Sequence, residues 1–301
     1  MSFDFVSVAG GSDPAKAAAR AAEAARLVQA LTLELASEKI DLPSFPEVAA
    51  RARKALANEF VEIEDVVRII SAEPALAARL LQLANSAALN SSGRRIADLR
   101  QALSRIGFNM ARSATIAFAM SQLRRAEAYK GLEQPLDELW QSSAHIAAVS
   151  HVVAKRFTRV NSDTALLAGL LGGIGKLYIL TRAVRFPTVL ADASVYQRIV
   201  AELHGRVAQA ILRNWEIAEE VVEAVLACEN HDREHGGATD LTDVLTVGRS
   251  LAALGPSPVA EQMLFLGIPA ARRMKLDAAA CVAALKESHD EIVSLRSALG
   301  D

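Results

Sequence analysis

The chain has 301 residues, of which 51% are hydrophobic, 23% charged and only 5% aromatic. Such a length and apolar content support a substantial core of aliphatic side chains and alanine, and they exclude disorder over most of the chain. Lys and Arg number 33 against 35 Asp and Glu, a net charge of −2, so the overall balance calls for neither a polyanionic partner nor an anionic membrane.

Apolar residues recur at i, i+3 and i+4 nearly throughout, with no convincing strand alternation, so an all-α fold is expected. Asp13 as N-cap and Pro14 at the first helical position open a helix that runs through an alanine-rich stretch toward Ser37. Leu27, Val28, Leu31 and Leu35 form its only apolar stripe. Residues 15–25 offer little bulk to bury, so that half is expected to project or fray. The leucine half docks on the body of the protein, or on a second copy to make a homodimer.

Pro43 and Pro46 favour an extended entry and then open a helix carrying Val48, Ala52 and Leu56. Residues 61–71 make a short helix, and Pro74 sits in the first turn of the next, within EPALAARLLQLANSA. After a turn at Ser91, Ser92 and Gly93, Asp98 caps a helix ending at Gly107. Asn109 caps a long apolar helix that completes a compact unit near Leu123. Gly131 and Pro135 mark a short link to a second helical group over 136–230, and HDREHGGATD makes a further break before a terminal helix, CVAALKESHDEIVSLRSAL. The expected division is a tail and alanine-rich helix over 1–39, a main domain over 40–235 split at 130/131, and C-terminal helices over 236–301 that pack on its second part.

The chain opens with no basic segment followed by an apolar one, so no secretory signal is expected. The longest strongly apolar stretch, 165–174, is cut by Gly172, Gly173 and Lys176 and is shorter than the roughly 20 residues that span a bilayer, so no membrane segment is expected. Cys228 and Cys281 are too few for a disulfide framework and form no C-x-x-C pair, which fits a reduced cytoplasm. Neither has an adjacent histidine, and both read as small core residues.

Three blocks in the first half are LPSFPEV, EPALAARLLQLANS and IADLRQALSRIGF, which include Pro43, Pro46, Glu73, Pro74, Asn85, Ser86 and Gly107. They are followed by Trp140 in LWQSSAHIAAVSHVVA, by AGLLGGIGKL, and by HGRVAQAILRNWEIAEEVVEAV beginning at His204. In this order the blocks resemble the HDOD family, the HD-related output domains of bacterial signalling proteins, over roughly residues 40–235. Glu73 stands where that family more often has aspartate, a change that keeps the carboxylate. The resemblance implies a helical subdomain followed by one related to HD-type metal-dependent phosphohydrolases.

HD hydrolases hold divalent ions with a histidine from one helix, an adjacent His-Asp pair from another and a later aspartate. Aligned on the family blocks, Ser142 takes the place of the first histidine, Gly172 and Gly173 replace the pair, and Arg249 falls near the last aspartate. Glycine has no donor, serine is a poor ligand and arginine puts a positive charge where the cation would sit, so neither metal nor hydrolysis is expected there. His145, one turn from Ser142, and His204 from a neighbouring helix could form a shifted site. A histidine on an apolar helix more often serves one hydrogen bond inside a core. His231 and His235 have the i, i+4 spacing of a metal clamp, but Gly236 and Gly237 follow at once and the segment reads as a solvated helix end.

GLLGGIGKL fails as a phosphate loop, because Leu170 and Leu177 stand where glycine and a hydroxyl are needed and no strand precedes it. Its glycines read as close-packing positions, or as the lining of a cleft. Arg94, Arg95, Arg100, Arg105, Arg112, Arg124 and Arg125 form a local charge asymmetry opposed only by Asp98. The helix, Gly107 and the helix that follows superficially resemble a helix-turn-helix, but ARSATIAFAM is too apolar to read bases, and nucleic acid is not the expected partner.

The expectation is therefore a non-enzymatic HDOD-type scaffold or regulator that binds another signalling protein, with no catalytic residue, metal or cofactor. The alternatives are a divergent metal-dependent phosphohydrolase, or a binder of an anionic nucleotide messenger contacted by Lys176, His145, His204 and Arg249.

Overall fold

The computed structural model describes residues 14–37, 40, 46–58, 60–86, 89–90, 93–253 and 267–299. Asp13, Pro43, Ser91 and Ser92 lie outside the described residues. Among those described, the regular structure is helical and no strand occurs, as the 3.6-residue periodicity requires.

The first helical group comprises α2 (Glu47–Ala57), α3 (Ile63–Ser71), α4 (Pro74–Ala84) and α5 (Leu99–Arg124). Pro74 occupies the first turn of α4, and the Asp98 carboxylate caps α5 by accepting from the Gln101 N–H at 2.8 Å. Gly107 breaks the helical path inside α5 with φ 74 and ψ 167, a conformation that a side chain resists. Beyond this kink α5 is buried from Met110 to Met120 apart from Arg112, between α2, α4 and a helix of the second group. The segment that resembled a recognition helix therefore presents no free face to a groove. The side chain of Asn85 donates to Leu81 O (2.8 Å) and Ile96 O (2.7 Å) and accepts from Ile96 N (2.7 Å), which ties the segment before α5 to the end of α4.

The second group is built on α6 (Glu133–Phe157), which packs along α7 (Ser162–Leu171) and α12 (Leu241–Ala253). Around it lie α8 (Ile174–Ala183), α9 (Pro187–Leu190), α10 (Ala193–Asn214) and α11 (Glu219–Ala227). Three crossings depend on glycine. A Cβ on Gly169 would lie 2.4 Å from Ala147 Cα, one on Gly175 would lie 2.0 Å from the His204 carbonyl, and one on Gly248 would lie 2.2 Å from Ser150 Oγ. Residues 162–183 are long and apolar enough to cross a membrane, but the stretch is mostly buried and turns at Gly172 and Gly173.

The two groups are joined by Arg53 of α2, which lies 5.1 Å from the Trp215 ring centroid and donates to the Trp215 carbonyl. Asn214 Nδ2 donates to Ile40 O at 3.0 Å, and α5 packs on α7.

The flanking helices meet one expectation and depart from others. α1 (Pro14–Ala36) lies on α8, α9 and α10, with Leu27 and Leu31 fully buried, so the leucine half docks on the body of the protein, one of its two expected places. The alanine-rich half is held as well. Arg20 pairs with Asp192, and Glu23 accepts from Thr188 Oγ1 at 2.6 Å and Thr188 N at 3.1 Å. Polar contacts do there what the small side chains could not.

After α13 (Pro269–Arg273), which packs on α12, the expected single terminal helix is two: α14 (Ala278–Glu287) and α15 (His289–Leu299). The break at Ser288 is buried, and Ser288 Oγ accepts from Arg156 Nη2 at 3.2 Å. α15 packs on α6 and also on α4 and α5, so the C-terminal helices bridge both groups instead of resting on the second alone.

Candidate functional site

Gly172 and Gly173 form the turn between α7 and α8, and both face side chains from other helices. A Cβ on Gly172 would lie 3.5 Å from Arg249 Nη1 of α12, and one on Gly173 would lie 2.6 Å from Ser143 Oγ of α6. Ser142, the expected neighbour of this turn, is exposed, and the buried hydroxyl belongs to Ser143. A helix turns about 100° per residue, so a shift of one position moves a side chain from the inner face to solvent.

Three of the four expected cleft residues converge, but on a residue that sequence reasoning missed. Glu229, just beyond α11, pairs with Lys176 Nζ at 2.9 Å, with Arg249 Nη2 at 2.8 Å and with His204 Nε2 at 3.2 Å. All four side chains are at least about two-thirds buried. The His204 hydrogen bond, with those of Lys176 and the Arg249 charge, overcomes burial and holds the Glu229 carboxyl well below the usual range. His145 is half-buried on α6 and is not one of the groups acting on Glu229. Glu229 carries no spacing signal; it meets residues 53 and 20 positions away only through packing.

Cys228, next to Glu229, is buried as expected, and burial pushes its thiol up to about 11, where it is inert as a nucleophile.

A second cluster lies in the segment of His231 and His235, which reads in sequence as a solvated helix end. Neither lies on a helix: His231 is exposed in a turn, and His235 reaches Asp243 of α12 at 3.2 Å. The i, i+4 geometry does not form because α11 ends at Ala227, ahead of both histidines. His235, Asp240 and Asp243 place one ligand atom each within 4.8 Å of one another, a set that could hold a metal ion. Two arginines already stand on it. Arg273 Nη1 lies 3.0 Å and Arg233 Nη1 3.3 Å from the fully buried Asp243, and Arg233 Nη2 lies 2.6 Å from Asp240. Burial opposes the ionised Asp240, but its bonds from Arg233 and the Asp243 N–H prevail and hold its carboxyl below the ordinary value.

The HDOD domain family matches residues 42–231, well over half of the chain. The chain belongs to the HDOD domain family. The HDOD fold is borne out by solved structures. One from Shewanella amazonensis SB2B, provisionally assigned as a metal-dependent phosphohydrolase, aligns with TM-score 0.70 at 25% identity, over 92% of this chain and 99% of that one. An HDOD domain protein of unknown function from Geobacter sulfurreducens gives 0.61 at 21% identity, over 92% and 98%. One from Marinobacter aquaeolei VT8, provisionally assigned to signal transduction, gives 0.59 at 20%, over 99% and 69%. A curated relative, an uncharacterized protein of Treponema pallidum (strain Nichols), is 21% identical over a 210-residue alignment that covers 65% of this HDOD chain and only 39% of that longer protein.

Proposed function

We propose that this HDOD protein is a non-enzymatic regulator of bacterial signal transduction that acts by binding another protein. The observation that carries the reading is the placement of the Arg249 guanidinium beside Gly172 and of the Ser143 hydroxyl against Gly173. A divalent ion there would find no donor on either glycine and a cation beside it. The residues at this turn do not fit an HD metal centre. What a cation would do electrostatically, Arg249 and Lys176 do covalently tethered, by neutralising Glu229. The well-kept helical frame, together with a site closed by its own ion pairs, supports a role in surfaces rather than chemistry.

The test is the metal content of protein purified without chelator or affinity nickel, combined with assays on phosphoesters and cyclic nucleotides. No stoichiometric metal and no turnover are the expected results. Turnover lost on His204→Ala or Asp243→Asn would overturn the reading and point to the phosphohydrolase alternative.

A second reading has one specific support. Lys176, His204 and Arg249 present three nitrogen groups to a single carboxylate, and an anionic nucleotide could take the place of Glu229. A thermal-shift screen with nucleotides tests it, and no shift at millimolar ligand disposes of it.

A further inference from the structure

In the second helical group α8 packs on both α6 and α10, and the three helices enclose a hollow of about 40 Å³. Each helix gives it an i, i+4 pair, which is one turn of one face: Pro135 and Leu139 from α6, Lys176 and Leu180 from α8, Tyr196 and Val200 from α10. Leu180, Tyr196 and Val200 are buried, while Pro135, Leu139 and Lys176 are half-buried and the exposed Gln197 stands at the edge, so the hollow has an apolar floor and a side open to solvent. The Lys176 ammonium is committed to Glu229 at 2.9 Å, which leaves its aliphatic stem as lining.

Tyr196 is the anomaly of this wall. It is only 5% exposed, yet its hydroxyl has no hydrogen-bond partner among the described residues, and burial alone acts on the phenol, raising its pKa. A buried tyrosine hydroxyl ordinarily finds a partner. Water is a poor one here, because a confined water needs several polar partners and the other buried walls, Leu180 and Val200, are aliphatic. The volume narrows the occupant further. It is a few times the ~10–15 Å³ that one water requires and far below the ~300 Å³ or more of small-molecule sites, and it suits the few heavy atoms of one branched aliphatic side chain.

We infer that this hollow seats a leucine side chain of a partner protein, with a backbone carbonyl beside that leucine accepting from the Tyr196 hydroxyl. The inference rests on the scaffold reading above and names one point where the partner is anchored. Protein interfaces concentrate affinity in such seats, each filled by one desolvated anchor. A free molecule small enough for the hollow gains too few contacts to bind tightly, whereas an anchor adds its contacts to those of the surface that carries it.

The experiment titrates the full chain with N-acetyl-leucine-N-methylamide, a leucine flanked by its two peptide groups, and follows binding by saturation-transfer NMR. Millimolar affinity is expected for a probe of this size, and about tenfold weaker binding for the alanine analogue. Tyr196→Phe keeps the ring and should weaken binding of the leucine probe about three- to tenfold. Its melting temperature should be unchanged or raised, because no bond inside the fold is lost. Val200→Phe should fill the hollow and abolish binding; should that variant fail to fold, Tyr196→Phe decides alone. No binding of the leucine probe, equal binding of the alanine analogue, or unweakened binding by Tyr196→Phe overturns the inference. A lowered melting temperature in Tyr196→Phe also overturns it, since the hydroxyl would then be satisfied within the fold. Tighter binding of free isovalerate than of the leucine probe overturns it in favour of a small-molecule site. None of these failures touches the scaffold reading, which stands or falls on metal content and turnover.

Discussion

Arg249 Nη2 donates to Glu229 at 2.8 Å while Nη1 of the same guanidinium lies 3.5 Å from where a Gly172 side chain would begin. One side chain thus pairs the Glu229 carboxylate and stands beside the space left by the glycine. Arg249→Met removes the charge but keeps most of the volume. Glu229 then keeps only Lys176 and His204, and the expected loss is about 1–3 kcal/mol, read from urea unfolding. A variant as stable as the natural chain would mean that the network does not hold the fold together.

The glycines at the turn and in α8 should tolerate alanine in a defined order. At Gly172 the added methyl meets Arg249 at ordinary contact distance, at Gly173 it collides with Ser143 Oγ at 2.6 Å, and at Gly175 it meets the backbone carbonyl of His204 at 2.0 Å. A hydroxyl can rotate away but a helix backbone cannot. Gly172→Ala should change stability by less than about 1 kcal/mol, Gly173→Ala by about 1–2, and Gly175→Ala by 3 or more, all by denaturant midpoints.

Acid should weaken the fold through two glutamates. Glu229 is held well below its ordinary value of 4.5, mainly by its His204 bond, and Glu291 is held down at about 2 by His151 and by Lys155 at 2.5 Å. Both carboxyls bind protons more readily in the unfolded chain than in the folded one. Their contribution is complete above about pH 4.5 and is lost as pH falls toward 2. The melting temperature should drop through that window, and Glu291→Gln should flatten the drop. Because Glu291 lies on α15, hydrogen exchange in that helix should rise first.

The leucine stripe of α1 makes a prediction about stability rather than association. Leu27 is fully buried and Leu33 is 64% exposed. Leu27→Ala should cost about 2–4 kcal/mol in urea unfolding, while Leu33→Ala should stay within about 0.5 kcal/mol. Light scattering that found a dimer disrupted by Leu27→Ala without loss of stability would return the stripe to an intermolecular role.

Glu73 precedes α4 with an extended backbone, φ −125 and ψ 94, yet its side chain makes no capping bond. Its extra methylene carries the carboxylate past the first-turn N–H groups that aspartate reaches. Glu73→Asp should therefore stabilise the chain by about 0.5–1 kcal/mol, visible as a raised melting temperature.

Helical class, the capping residue Asp98, the helix break at Gly107 and the HDOD blocks were legible before any coordinates, because caps, breaks and periodicity rest on near neighbours in sequence. Lys176 and His204 were also legible as candidates from their place in those blocks, and Arg249 from its place near the last ligand position of the HD pattern. That they meet on Glu229, that Ser143 rather than Ser142 faces Gly173, and that His235 turns to Asp243 instead of His231 were decided by packing. So were the docking of both halves of α1 and the bridging path of α15. Periodicity tells a residue which side of its own helix it occupies. Which helix it then meets depends on crossing angles and close approaches, such as Gly175 on the His204 carbonyl, and those arise only when the whole core is assembled.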